Sequence, residues 1–359
     1  MTILENALVG TDLGLTGLSG VPRADRPQKA KDFTSDQEVR WCPGCGDYVI
    51  LATVRGFLAD LGLERENLMF VSGIGCSSRF PYYLEAYGIH SIHGRAPAIA
   101  TGLAVTRPDL SVWVVTGDGD ALSIGGNHLI HALRRNVNMT ILLFNNRIYG
   151  LTKGQYSPTS ETGKVTKSTP MGSVDHPFNT LSVALGAEAT FAARALDSDR
   201  AGLTEVLRAA AEHRGTSFVE ILQDCPIFND GSFDALRREN AESHLVRLRH
   251  GQPIRFGADG EFAVVRSGFG LRVARADSVA EAEMVVHDAY TDSPEYAYAL
   301  SRLSDQDLTH VVTGIFRSVS RPTYDDGVRA QRNTAVERRP VSENSLQELL
   351  TGRETWTVG

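Results

Sequence analysis

The stretch from Ser111 to Gln155 constrains this chain more than any other part of its 359 residues. Two short apolar runs, Val112–Val115 and Ile141–Phe144, have the length and composition of buried parallel strands. Each stops abruptly in small or oxygen-bearing residues. Between them Ile124, Leu129, Ile130 and Leu133 recur at helical spacing, and Ser123 stands where an N-cap would. The pattern predicts a β-α-β unit of a doubly wound α/β fold with a mostly parallel sheet. Polar groups then gather at the carboxyl ends of both strands, where open α/β sheets bind ligands.

Gly117-Asp118-Gly119-Asp120 follows the first run, and its glycines allow backbone amides to approach a phosphate closely. Asp118 offers a hard oxygen and Asn146, at the end of the second run, offers another; Mg²⁺ takes a few such oxygens and completes its shell with phosphate and water. Either half alone is an ordinary glycine-rich turn. Both together resemble the thiamine diphosphate motif, Gly-Asp-Gly, helix, Asn-Asn. In that family the metal takes the Asp, the second Asn and the carbonyl two residues on. Carried over, the Mg²⁺ ligands are Asp118, Asn146 and Ile148, with Gly117, Gly119 and Asp120 against the cofactor.

Composition narrows the alternatives. Apolar residues make up 42% of the chain, enough for a sizeable core, and a net charge of −7 gives no footprint for nucleic acid. No apolar run is long enough to span a bilayer. Glu5 interrupts any basic-then-apolar leader, so a cytoplasmic protein is expected.

Four cysteines remain. Cys42 and Cys45 form a CxxC loop before a helix whose Leu51, Val54, Leu58 and Leu61 share a face; Cys76 and Cys225 each follow a strand, Met69–Val71 and Phe218–Leu222. A reducing compartment argues against structural disulfides. A redox pair would use Cys42 and Cys45 alone, whereas a metal site can use all four. Zinc more often pairs two CxxC units, while an iron–sulfur cube can take ligands singly from scattered loops. Spacing leaves redox, zinc and cluster readings open.

Five motifs occur in series: Trp-Cys-Pro-Gly-Cys-Gly, Gly-Ile-Gly-Cys-Ser, His93-Gly94-Arg95, Gly-Asp-Gly-Asp and Leu-Thr-Lys-Gly-Gln. From Trp41 to Asn229 the chain resembles the β subunit of two-subunit 2-oxoacid:ferredoxin oxidoreductases. The resemblance implies thiamine diphosphate, Mg²⁺ and one [4Fe–4S] cluster held by Cys42, Cys45, Cys76 and Cys225. It places Ile74, Gly75, Cys76, Ser77, His93, Gly150 and Leu151 at the thiamine and Lys153 at coenzyme A. Without it His93 would read as a turn histidine capping a helix and Lys153 as a solvated loop lysine. Arg79 falls where relatives recognise the substrate acid; its planar fork suits a carboxylate, although a salt-bridged helix-end arginine would look the same. Arg95 is unassigned.

The implied reaction is oxidative decarboxylation of a 2-oxoacid, with the acyl group passing to coenzyme A and electrons passing through the cluster to ferredoxin. Leu-Thr-Lys, where pyruvate-type relatives have Asn-Thr-Gly, points to 2-oxoglutarate; a pyruvate or branched-chain enzyme is the alternative. A non-catalytic scaffold subunit holding structural zinc is the alternative of another class. No motif supplies the glutamate that thiamine enzymes require. In the family it comes from an α subunit, and the expected assembly is α2β2, inactive as the β chain alone.

The flanks are less informative. Residues 1–40 read as an extended arm, 41–229 as the cofactor domain and 230–359 as an extension for subunit contacts. Tyr156–Phe178 reads as a long functional loop in which Asp175-His176 starts a helix before Pro177. Leu203, Val206, Leu207 and Ala210 predict a covering helix, Phe262–Val265 a strand, Asp234–His250 a helix-prone stretch, and Glu281–Leu303 a helical pattern broken near Ser293-Pro294. The Arg-rich run Val328–Pro340 reads as a solvated or partner-bound segment.

Overall fold

The computed structural model describes residues 15–358 apart from 238–240, 305–306, 339, 343, 353–354 and 357. Eight strands make the main sheet: β1 (Leu68–Ser72), β2 (Tyr87–His90), β3 (Ser111–Gly117), β4 (Met139–Asn145), β5 (Phe191–Leu196), β6 (Thr216–Leu222), β7 (Leu245–Arg247) and β11 (Val311–Ser318). Their spatial order is β2-β1-β3-β4-β6-β5-β11-β7, and every described pairing is parallel except β11 on β5. The expected mostly parallel α/β sheet is therefore present.

Both faces of the sheet are covered, which is why β3 and β4 read as continuous rather than alternating apolar runs. Val112, Val114, Ile141 and Leu143 point to one face and pack with Leu129, Leu133 and the helix Ala96–Thr106. Trp113, Val115, Leu142 and Phe144 point to the other, against the helices Asp47–Leu61 and Arg200–Glu212. The predicted faces of these two helices, Leu51, Val54, Leu58, Leu61 and Leu203, Val206, Leu207, Ala210, are all buried.

The helix after β3 departs from expectation. A short helix, Asp118–Leu122, ends at Ser123, and the longer one, Gly126–Arg135, starts from Gly125 with no side-chain cap. Leu129 and Leu133 are buried, whereas Ile124 and Ile130 are 58% and 41% exposed. The reason is close backbone packing: a Cβ on Gly125 would fall 2.9 Å from the Gly94 Cα and 2.4 Å from the Asp120 carbonyl.

The flanks are more integrated than their sequence suggests. Within the expected arm, Leu18, Val21 and Phe33 are buried and Ala30–Phe33 forms a 3-10 turn; residues 1–14 lie outside the described residues. After Asn229 the chain contributes β7 and β11 to the main sheet, and β8 (Arg255–Phe256), β9 (Phe262–Ser267) and β10 (Gly270–Arg275) form a separate antiparallel sheet. The strand expected at Phe262–Val265 is β9. Of the helical pattern over Glu281–Leu303, the break expected near Ser293-Pro294 is the start of the helix Pro294–Ser301, while the part before it is not an α-helix because Met284 and Val286 bridge to Val265 and Pro253 as extended chain. Asp234–His250 is a 3-10 turn, one short helix and β7 rather than one helix, with 238–240 outside the described residues. The Arg-rich run is helical from Tyr324 to Arg338, fastened by Arg329 to Asp325 and to the Ala104 carbonyl.

One buried group gives acid sensitivity. Burial pulls the His213 imidazole from 6.5 down to about 4. Below pH 6.5 the unfolded chain binds a proton that the folded chain refuses, so stability falls as pH drops toward 4. That is about 2 kcal/mol between pH 7 and 5. His213→Gln is expected to flatten this dependence, measured as urea midpoints at the two pH values; equal slopes for both proteins would refute it.

Candidate active site

A cleft opens at the carboxyl ends of β3 and β4, and the chain returns to it repeatedly. Its walls include Ile74, Gly75, Cys76, Ser77, His93, Gly117, Asp118, Gly119, Asp120, Asn146, Ile148, Gly150 and Leu151, every residue carried over to the thiamine and magnesium positions. Its enclosed volume, about 60 Å³, is small by itself. Through Ile74, Gly75 and Leu151 it shares walls with a 540 Å³ cavity lined by Arg40, Arg79, Tyr82 and His90.

The oxygens at the strand ends have the chemistry a hard cation needs. Asp118 is 2% exposed, and burial pushes its carboxyl up to about 6 against the pull of two hydroxyl donors. Those donors, Ser157 Oγ and Thr159 Oγ1, both lie 2.5 Å from Oδ2. Asn146 is oriented by Gln223: its Nδ2 donates to Gln223 Oε1 at 2.9 Å, leaving Oδ1 on the side of the Ile148 amide. Gly119 has to lack a side chain, since a Cβ there would lie 2.2 Å from the Tyr149 ring, whose hydroxyl donates to the Gly119 carbonyl. The residues present thus fit a Mg²⁺–diphosphate group.

Asp120 has a different part in this arrangement. Its Oδ1 lies 2.9 Å from His93 Nδ1 and accepts from the amides of Gly94 and Ile74; its Oδ2 accepts from Thr116 Oγ1. Both oxygens are occupied within the protein, so this carboxylate sets the orientation of His93 and of the Ile74 loop. Gly73 makes room for it: a Cβ would fall 1.8 Å from Asp120 Oδ2. Gly73→Ala is expected to displace the hub, lowering stability by about 1–3 kcal/mol and weakening thiamine diphosphate binding. Calorimetric unfolding and ligand titration check this, and wild-type values in both would refute it.

The four cysteines converge on one side of the cleft, and none is in a disulfide. Cys42 is exposed, Cys45 and Cys225 are buried, and Cys76 is half-buried. A side chain at Gly150 would lie 3.6 Å from the sulfurs of both Cys76 and Cys225. Trp41 Nε1 donates to the Cys76 carbonyl at 2.7 Å, Gln223 Nε2 donates to Cys45 Sγ at 3.3 Å, and the Gly46 amide donates to the Asp224 carbonyl. These bonds tie the three cysteine-bearing loops together. Burial raises the thiols of Cys45, Cys76 and Cys225, Cys76 to about 12; a cationic metal group is what would hold such sulfurs as thiolates. Among the described residues no three His, Cys, Asp or Glu side chains close round a single ion.

Arg79 is half-buried in the 540 Å³ cavity and its guanidinium forms no ion pair among the described residues, in contrast to a salt-bridged helix-end arginine. Lys153 is exposed in a left-handed conformation, one residue beyond the cleft wall. Asp175-His176 starts no helix: Asp175 accepts from Tyr156, and the helix Thr180–Gly186 starts from the Asn179 cap. Trp41 and Gly73 open two of the motifs but carry no role there, and Ser157, Thr159 and Gln223 lie outside every motif, so no sequence signal marks them.

Residues 73–221 match the family model of the thiamine pyrophosphate enzyme C-terminal TPP-binding domain. Over its full length the chain is 73% identical to the 2-oxoglutarate oxidoreductase subunit KorB of Mycobacterium tuberculosis, covering 97% of that protein. The chain belongs to the β subunits of the 2-oxoacid:ferredoxin oxidoreductases. A β subunit of this family from Aeropyrum pernix is 43% identical over 55% of this chain and 64% of its own. The solved 2-oxoglutarate:ferredoxin oxidoreductase of Magnetococcus marinus, with 2-oxoglutarate, coenzyme A and succinyl-CoA bound, is similar with a TM-score of 0.73 and 34% identity. That match covers 92% of this chain and 99% of the other. As a β subunit of this oxidoreductase class, the chain works with an α subunit and carries a thiamine diphosphate-binding domain. Among the described residues no helix is long and apolar enough to cross a membrane.

Proposed function

We propose that this β subunit, in an α2β2 assembly, decarboxylates 2-oxoglutarate to succinyl-CoA and CO₂ and delivers the electrons to ferredoxin. One observation carries the reading. The Ile74–Ser77 loop lines the cleft of Asp118 and Asn146 while its Cys76 faces Cys225 across Gly150. A redox centre and an organic cofactor placed on this loop would be neighbours. Thiamine diphosphate, when bound, supplies the carbon nucleophile that makes a 2-oxoacid release CO₂, and a [4Fe–4S] cluster takes up single electrons.

The chain's own residues do the placing. Asp118, Asn146 and the Ile148 carbonyl would hold Mg²⁺, and Gly117 and Gly119 line the cleft in which the diphosphate would sit. Cys42, Cys45, Cys76 and Cys225 would hold the cluster. Asp120 keeps His93 turned toward the cleft. Arg79, without an ion pair among the described residues, offers a planar fork to a carboxylate in the cavity that Ile74, Gly75 and Leu151 share with the cleft. Lys153 would meet a phosphate of coenzyme A as a point charge. The names of the similar proteins from M. tuberculosis and M. marinus support 2-oxoglutarate.

The test is a 2-oxoacid panel on the purified α–β complex, following acceptor reduction with and without coenzyme A. Coenzyme A-dependent reduction with 2-oxoglutarate and little with pyruvate or branched-chain acids is expected; preference for a monocarboxylic acid would overturn the substrate assignment.

A further inference from the structure

The two hydroxyls on Asp118 come from outside the sheet, from the start of the long segment between Gln155 and Asn179. We propose that Ser157 and Thr159 are positioning residues for the metal-binding carboxylate: by donating to Oδ2 they fix its rotation and leave Oδ1 for Mg²⁺. This rests on the reading of Asp118 as a magnesium ligand.

Ser157, Thr159 and Asp118 are 2%, 4% and 2% exposed, so no solvent competes for these contacts. Both bonds measure 2.5 Å, the short range of hydroxyl-to-carboxylate bonds. A carboxylate rotates freely between two broad wells unless something holds it. Two donors converging on one oxygen, with the Gly119 amide also on the carboxylate, remove that freedom.

The segment that carries the hydroxyls is itself fastened to the turn that bears the other two metal-facing positions. Ser160 Oγ donates to the Arg147 carbonyl, between Asn146 and Ile148, at 2.5 Å. The Thr159 hydroxyl has one proton, so with that proton on Asp118 its 2.9 Å approach to Asn145 Oδ1 is not a second donated bond. Lys164 pairs with Glu161 and donates to Asn229 Oδ1, and Asn229 Nδ2 donates to the Asn146 carbonyl at 2.9 Å. Residues 157–164 therefore hold Asp118 and the Asn146–Ile148 turn in one register. None of this is visible from motif spacing, because the strap is sequentially remote from Asp118.

The experiment is calorimetric titration of thiamine diphosphate into the α–β complex, stripped of that cofactor, over a series of Mg²⁺ concentrations. Ser157→Ala/Thr159→Ala is expected to raise the Mg²⁺ needed for half-saturation by about 10–100-fold, the usual cost of losing an outer partner of a metal ligand. Excess Mg²⁺ should restore binding. The hydroxyl-retaining swap Ser157→Thr/Thr159→Ser should recover most of the loss. Thr159→Val keeps shape and removes only the hydroxyl, so it carries the test if the double variant does not fold. A wild-type Mg²⁺ requirement in these variants, or a deficit that excess Mg²⁺ does not repair, overturns the proposal. Asp118→Asn separates the two levels: if it too binds with the wild-type Mg²⁺ requirement, the magnesium reading itself fails.

Discussion

Cys76→Ser is expected to abolish reduction of ferredoxin or a viologen by the α–β complex and to bleach the brown colour of an anaerobically purified preparation. A serine hydroxyl is not ionised at neutral pH and offers iron no thiolate. The loss should exceed the 10–100-fold or so that removal of a mere outer partner costs a metal site. The loop should survive the change, since its form comes from the bond between Trp41 and the Cys76 carbonyl and from the Ile74 amide on Asp120, neither of which uses the sulfur. Thiamine diphosphate should therefore still bind, which separates loss of the cluster from collapse of the cleft. Iron content and acceptor reduction are the measurements; unchanged values for both would defeat the four-cysteine assignment.

Asp118→Asn is expected to raise the Mg²⁺ requirement for thiamine diphosphate by about a hundredfold or more, because Mg²⁺ relies on one or two carboxylates and, of the two in this cleft, Asp120 is committed to His93, Thr116 and two backbone amides. A second consequence has the opposite sign. Burial pushes the Asp118 carboxyl up to about 6, so at neutral pH the folded, cofactor-free protein carries an ionised group it would hold more easily neutral. Asparagine keeps the size, accepts the Ser157 and Thr159 hydrogen bonds and removes the charge. Unfolding of the cofactor-free complex should therefore occur at the same temperature or a few degrees higher, the exchange of stability for function common at active sites. Scanning calorimetry with ligand titration tests both halves. A variant that melts earlier yet binds normally would show Asp118 to be structural.

The candidate site's residues stand out in the sequence because its motifs are local. Gly-Asp-Gly-Asp, Asn145-Asn146 and the CxxC loop each place their groups within a few residues of a strand or helix end. The apolar runs at Val112–Val115 and Ile141–Phe144 could hardly be anything but strands covered on both faces. Ser123 misled because it has a capping side chain, whereas the helix start was decided by Gly94 packing on Gly125. Glu281–Leu303 misled because its extended part is held by bridges to Pro253 and Val265, which local propensity does not register.

The chain's own order of residues determined the donor chemistry: hard oxygens at two strand ends, four sulfurs on three loops, a histidine and an arginine beside them. Tertiary structure alone decided how those groups are held. Asp120, a wall of the cleft, also anchors His93, and Ser157 and Thr159 were brought onto Asp118 from about forty residues away. β7 and β11, from a stretch that reads as an appendage, extend the main sheet beyond β5. The physical reason is the same each time. A motif specifies which atoms a ligand needs, but the partners that desolvate, orient and neutralise those atoms are chosen by packing between segments with no sequence relation to one another.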